Sequence, residues 1–159
     1  MNYWICKDVS DIPKIIPLIH EAHLASNLRR IPLNIQKIES IVQKSLSKKE
    51  SSAIMLAGRR GMVEGAAYCE VGEYIIGSKI LLTTIHGIFV SNRLRKSLAG
   101  GRVALSLFKG IETWSTSRKS SAIWLHDTFG IDEGRTHKLV RKIGFSTAGA
   151  TYFKNTPLR

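Results

Sequence analysis

The sequence is poor in the features that mark secreted, metal-bound or membrane-spanning chains. Of its 159 residues only two are cysteines, Cys6 and Cys69, far apart, with no CxxC pair and no histidine at metal-ligand spacing beside them. That excludes a disulfide framework and a thiolate metal site, and both are read as buried, reduced thiols. No apolar run approaches the roughly 20 residues that a membrane span needs. The start, Met1-Asn-Tyr-Trp-Ile-Cys-Lys-Asp8, lacks the charged beginning and continuous apolar core of a signal peptide. A cytoplasmic protein with no membrane partner is therefore expected. Internal repeats and low-complexity linkers are missing too.

Acidic residues are also scarce. Twelve Asp and Glu stand against 24 Lys and Arg, a net charge of +12 with a pI of about 10.1. Such an excess favours an anionic ligand, substrate or partner. It does not separate nucleic acid, acidic protein, membrane surface and nucleotide cofactor from a generally solubilising surface. What is present suffices for one compact domain, since 43% hydrophobic residues over 17.7 kDa support a core around a sheet. A single domain over 1–159 is expected, with 155–159 a loose tail.

Hydrophobic spacing and turn residues give the order of elements. Tyr3 to Cys6 reads as a first strand, and Asp8 and Asp11 offer capping side chains before Pro13. The helix that follows places Ile12, Ile15, Ile16, Ile19, Ala22, His23 and Ser26 on one face. Asn34 caps a second helix with Ile35, Ile38, Ile41, Val42 and Leu46 inward. Residues 53–57 and 62–71, around Gly58-Arg-Arg-Gly61, form a hairpin. Leu81 to Val90 is a long apolar strand, and Val103, Leu107, Phe108, Ile111 and Trp114 line the next helix. Ala122 to His126 is a fifth strand, so that strand, helix and strand make a right-handed parallel unit. Asp132 caps a last helix with Thr136, Leu139, Val140 and Ile143 inward, Gly144 ends it, and residues 145–153 form a closing strand or hairpin.

The segment joining the long strand to its helix carries the most chemistry. Ser91-Asn-Arg-Leu-Arg-Lys-Ser-Leu-Ala-Gly-Gly-Arg102 holds four cations and no acid, with two glycines where a helix begins. Free N–H groups at a helix start, small residues and positive charge together favour a polyanion. The common nucleotide loops do not fit. Arg95-Lys-Ser97 contains the Lys-Ser pair of a P-loop, but Val90 and Arg95 stand where its glycines belong, and G-x-G-x-x-G occurs nowhere.

The segment resembles the acetyl-CoA loop of the Gcn5-related N-acetyltransferases, in which a strand-ending valine is followed five residues on by Arg or Gln and then by a glycine-rich turn into a helix. Val90, Arg95 and Gly100 match, Leu98 replaces the first glycine of the pattern, and Arg141-Lys-Ile-Gly-Phe145 is similar to the family's K-x-G-F ending. The order of elements resembles the compact phage and bacterial members over nearly the whole chain. The resemblance implies an α/β fold of mixed, α+β character. Its central mixed sheet would have six to seven strands with about four helices and a V-shaped split between strands 4 and 5. It also implies acetyl-CoA as cosubstrate, no metal, and direct transfer of the acetyl group to an amine. The cofactor pyrophosphate would rest on the backbone of Arg95, Lys96, Ser97, Leu98, Ala99, Gly100 and Gly101, with Arg93 and Arg102 adding charge. The strand edge at Ile88, Phe89 and Val90 would pair with the pantetheine arm.

The proton-transfer groups depart from that pattern. Thr84 stands where family members often carry a carboxylate, Val140 where they often carry a tyrosine, and Glu133 where an Asn is expected. The catalytic candidates are therefore others. His86 shares the face of Thr84 by strand alternation and is placed to take a proton from an ammonium. His126, followed by Asp127, closes the fifth strand as an orienting or ligand-binding group. Tyr152 would protonate the departing thiolate if the closing hairpin folds over the cleft. For each, packing or solvent exposure is the commoner role, as it is for Glu21, a candidate for binding a cationic acceptor. Two functions follow. One is an N-acetyltransferase acting on a protein amine, aminoacyl-tRNA or small amine, with an acidic protein or RNA carrying the acceptor. The other is a non-catalytic module of the same fold whose basic surface binds nucleic acid or an acidic protein.

Overall fold

The computed structural model describes residues 1–59, 61–126 and 131–149. The elements in order are β1 (Asn2–Ile5), α1 (Ile12–Ala25), α2 (Ile35–Ser47), β2 (Ser52–Arg59), β3 (Met62–Glu73) and β4 (Leu81–Val90). They continue with α3 (Asn92–Arg95), α4 (Leu98–Ser117), β5 (Ala122–Leu125) and α5 (Glu133–Lys142). The strands lie in the order β1-β2-β3-β4-β5, antiparallel except for the parallel β4–β5 pair.

The mixed α/β architecture is the expected one, with two corrections. Among the described residues the sheet has five strands rather than six to seven. Residues 145–149 carry no strand, and the remainder of the expected closing hairpin, Tyr152 included, lies outside the described residues. Among the described residues there are five α-helices rather than about four. The additional one, α3, is a single turn inside the basic loop, too short to give an apolar period.

The sheet is covered on both faces. Ile54, Leu56 and Ala66 face Ile12, Ile15 and Leu18 of α1 and Val42 of α2. Met55, Ala57, Ala67, Cys69 and Ile85 face Val103, Leu107, Phe108, Ile111 and Trp114 of α4. Burial on both sides explains why β2 reads as a continuous apolar run instead of an alternation. At Gly110, α4 crosses so close to the sheet that a Cβ would lie 2.7 Å from both Met55 Sδ and Tyr3 Cδ2.

Local signals fix most element ends. Asn34 Oδ1 accepts the Lys37 N–H at 3.0 Å, and Asp8 caps the turn preceding α1 by accepting from the Ser10 N–H at 2.7 Å. Neither Asp11 nor Asp132 makes the capping bond expected of it; Asp132 instead enters α5 in the left-handed conformation, φ 57°. Gly144, at φ 98°, ends α5 and lets the Phe145 N–H reach the Val140 carbonyl at 2.9 Å. Phe145 then packs edge-on against Phe108, ring centres 5.6 Å apart, tying the Gly-Phe pair to the α4 core.

Candidate functional site

A bulge in β4 organises the site. Opposite β3, Cys69 pairs with Ile85 and Tyr68 with Gly87, so His86 is the extra residue. The bulge reverses the alternation of the strand: Ile85 and Ile88 both face α4, while Phe89 faces α1. The parallel partner stops at the same point. β5 pairs only with Leu82 to Ile85 of β4, and the His126 N–H makes a last bond to the Ile85 carbonyl at 3.1 Å. Beyond it, no described strand pairs with residues 86 to 90 of β4 on that side.

At the far end of that edge lies the basic loop. Ser91 caps the turn α3 through its carbonyl, which accepts the N–H groups of Leu94 and Arg95, each at 3.0 Å. Ser97 caps α4: its Oγ accepts the Gly100 N–H at 3.2 Å and donates to the Leu94 carbonyl at 2.7 Å. Ser97 is thus spent on holding the helix start. Arg95 folds back, donating from Nη2 to the Val90 carbonyl at 3.3 Å, and so braces the strand end. Lys96, Leu98 and Arg102 are exposed, and Leu98, 88% exposed, stands clear of the loop where the family pattern has glycine.

The two glycines differ in role. A Cβ on Gly100 would meet the Leu94 carbonyl oxygen at 2.1 Å, so this glycine is required by the contact between α3 and α4. A Cβ on Gly101 would meet nothing within 4 Å. The first N–H groups of α4, at Leu98 and Ala99, have no acceptor within their helix, as at any helix start. Together these residues make an open, cationic helix end.

Sequence reasoning missed the acids that hold this loop. Glu64 of β3, 4% exposed, pairs with Arg93, accepts from Ser91 Oγ at 3.3 Å, and offers its carbonyl to the Ser91 N–H at 2.8 Å. Glu21 of α1 accepts the Asn92 N–H at 2.9 Å, a bracing role rather than one of binding a cationic acceptor. No local pattern announces either contact, because both partners come from distant elements.

On the other side of the bulge is a cleft of about 500 Å³, bounded by Lys44 and Lys48, by Glu70 to Ile75, by Leu82, Thr84 and His86, and by Trp124 and His126. Glu70 lies opposite Thr84 in the β3–β4 register. Its carboxylate accepts from His86 Nε2 at 3.0 Å and from Lys44 Nζ at 3.2 Å. Burial pushes the Glu70 carboxyl up, but the Tyr68 hydroxyl, Lys44 and His86 more than offset this and hold it below the usual carboxylate range. An ionised carboxylate only accepts, so His86 Nε2 is the donor in this pair. Tyr68 stacks on the imidazole, ring centres 5.3 Å apart, and burial pushes its own hydroxyl up to about 12. The carboxylate missing from Thr84 is thus present one strand away.

Of the catalytic candidates, His86 and His126 line this one cleft. Cys6 and Cys69 are buried and unbridged, and burial raises the Cys69 thiol to about 12. Among the described residues no three His, Cys, Asp or Glu side chains converge to hold a metal ion, and no helix is long and apolar enough to cross a membrane.

No protein-family model matches the chain, and comparison with curated protein sequences finds no match. Solved structures do match. A ribosomal-protein-alanine N-acetyltransferase from Brucella melitensis superposes with a TM-score of 0.71 at 15% identity, over 98% of this chain and 100% of the other. The aminoglycoside 6'-N-acetyltransferase AAC(6')-IG from Acinetobacter haemolyticus gives 0.68 at 14% identity, with all of both chains covered. AAC(6')-Iy, solved with the bisubstrate analogue CoA-S-monomethyl-acetylneamine, gives 0.72 at 15% identity over 99% and 98% of the two chains. The chain has the acetyltransferase fold, and the resemblance read from its loop holds at that level.

Proposed function

We propose that the protein is an acetyl-CoA-dependent N-acetyltransferase that transfers acetyl directly to an amine. The observation that carries this is the end of β4–β5 pairing at the His86 bulge, with an open cationic helix start at one end of this stretch of β4 and a histidine–carboxylate pair at the other. The residues fit the cosubstrate: the helix start at Leu98 and Ala99, the open surface at Gly101, and the exposed Lys96 and Arg102 would hold its phosphates. The edge of Ile88, Phe89 and Val90 would take the pantetheine arm in the manner of a strand. When bound, acetyl-CoA supplies the activated acetyl thioester. His86 takes a proton from the incoming ammonium, and Glu70 holds the ring in the required tautomer and stabilises the imidazolium.

The aminoglycosides named for one of the similar structures are polycations, and the cleft does not complement them. Its described carboxylates, Glu70 and Glu73, are already engaged, and Lys44 and Lys48 face it. With Lys44 and Lys48 balanced by Glu70 and Glu73, an acceptor of low charge fits better. The alternative of a non-catalytic binding module draws on Thr84 and Val140 in place of the family's proton-transfer groups. The two readings separate by experiment. Acetyl-CoA is expected to raise Tm, and labelled acetyl-CoA incubated with protein and lysate is expected to label an acceptor. A Tm shift without any labelled acceptor favours the binding module, and no shift with no calorimetric binding overturns the acetyltransferase reading.

A further inference from the structure

The carboxylate of Glu70 is shared between two side chains that can carry positive charge. Oε2 takes the hydrogen bond of His86 Nε2 at 3.0 Å, and Oε1 takes that of Lys44 Nζ at 3.2 Å. The three come from β4, β3 and α2, so only the folded chain brings them together. Fold stability does not account for the arrangement. Lys44 and Glu70 are 51% and 32% exposed, and an ion pair so open to water contributes little.

The position of Lys44 matters for the histidine instead. A carboxylate within hydrogen-bond reach of an imidazole favours the imidazolium, because the pair then carries opposite charges. An imidazolium has no site left to accept a proton. The more strongly the ring feels the carboxylate, the less neutral base is present near neutrality, where histidine charge is most easily tipped. An ammonium on the other carboxylate oxygen opposes that pull, since it offsets the negative charge and repels a second positive one.

The other charged and titratable groups at the cleft do not do this. Lys48, just past α2, borders the cleft and makes no ion pair among the described residues. Glu73 is engaged by the Lys79 N–H, and Tyr68 stacks on the imidazole as a neutral phenol. The His126 ring lies edge-on to Trp124, ring centres 6.3 Å apart. Only Lys44 sits on the carboxylate that holds His86.

We infer that Lys44 is a positioning residue that sets the charge of His86: by holding Oε1 of Glu70 it limits the pull of the carboxylate and keeps the ring in its neutral, proton-accepting form. The consequence for rate rests on the acetyl transfer proposed above, whereas the charge of the ring can be read without it.

The test compares the full-length wild type with Lys44→Met, Lys44→Arg and Lys48→Met, all at exposed positions. Nitrogen NMR at about pH 7, with no cofactor or acceptor, reads the imidazole directly. In Lys44→Met the His86 ring nitrogens are expected to move towards imidazolium values. Lys44→Arg keeps a cation on Oε1, and Lys48→Met removes a charge from the cleft wall without touching Glu70, so both should stay near wild type. With acetyl-CoA and n-butylamine as the acceptor probe, Lys44→Met should lose about threefold in kcat at about pH 7 and regain it by about pH 9, where the ring is neutral in either protein. KM for acetyl-CoA should not change. A side chain of structural worth alone would move neither the nitrogen signature nor the pH profile.

An unchanged His86 signature in Lys44→Met, a move towards the neutral form, or an equal move in Lys48→Met overturns the inference. So does a loss in kcat that is as large at about pH 9 as at about pH 7. If the NMR pattern holds and n-butylamine is acetylated at no pH, Lys44 still sets the charge of the ring, and the result counts against the transfer reading instead.

Discussion

The two ends of β4 are built by different means. Past the His86 bulge, the cationic end is drawn from one contiguous stretch, residues 91–102, shaped by its own serines and glycines and braced from outside by Glu64 and Glu21. Before the bulge, the cleft is assembled from α2, β3, β4 and β5, and its central pair, Glu70 and His86, joins two strands. A contiguous site depends on backbone geometry, so it tolerates side-chain changes that leave that geometry alone. An assembled site depends on single side chains meeting across elements, so it fails one residue at a time. The bulge separates the two, so the proposed cofactor binding and the proposed proton transfer are expected to be independently breakable.

The largest expected effect falls on the assembled end. His86→Ala should lower kcat by roughly 100-fold or more, the usual worth of a positioned general base, with acetyl-CoA affinity unchanged. Glu70→Gln removes the tautomer control but leaves the ring, so its loss in kcat should be smaller, and steady-state kinetics with acetyl-CoA titrations decide both. Equal loss of cofactor affinity in either variant would show that the ends are not independent.

At the contiguous end, Gly101→Glu should break binding without breaking the fold, since a Cβ there meets nothing within 4 Å. A carboxylate about 5 Å from a phosphate costs about 3 kcal/mol at an effective dielectric of about 20, or roughly 100-fold in Kd. Calorimetry should record that loss while the melting temperature of the unliganded protein stays unchanged.

Gly100→Ala sharpens the same end by acting on the scaffold. In an exposed helix interior the change from glycine to alanine stabilises by up to about 1 kcal/mol. Here the new Cβ meets the Leu94 carbonyl oxygen at 2.1 Å, and backbone cannot step aside as a side-chain tip does. The sign therefore reverses, with a loss of roughly 1–3 kcal/mol expected by denaturant titration.

How much of this was legible in the sequence follows the same division. The core face of α4, Val103 to Trp114, and the Asn34 cap were readable because each is a local pattern. The loop was readable as a cationic strand-to-helix turn for the same reason, although Ser97 and Arg95 brace it and Gly100 serves packing. Glu64, Glu21 and Glu70 were not readable in these roles, since each meets its partner only after the chain has folded. Strand alternation correctly put His86 on the face of Thr84, but the bulge that ends the alternation there leaves no mark in composition.

The smallest expected effect concerns pH. Glu70 is held below its ordinary range in the folded protein, so its contribution to stability is fully present above the unfolded carboxyl's pKa, about 4.3. That contribution is lost as the pH falls through the lower, folded value, because protonation removes the attraction of Lys44 and His86. Wild type and Glu70→Gln should therefore differ in melting temperature by a few degrees near neutrality, and the difference should shrink below about pH 4. A gap that widened on acidification would mean that Glu70 is more easily protonated in the fold than in the unfolded chain, and the proton on His86 Nε2 would then no longer be fixed by its carboxylate.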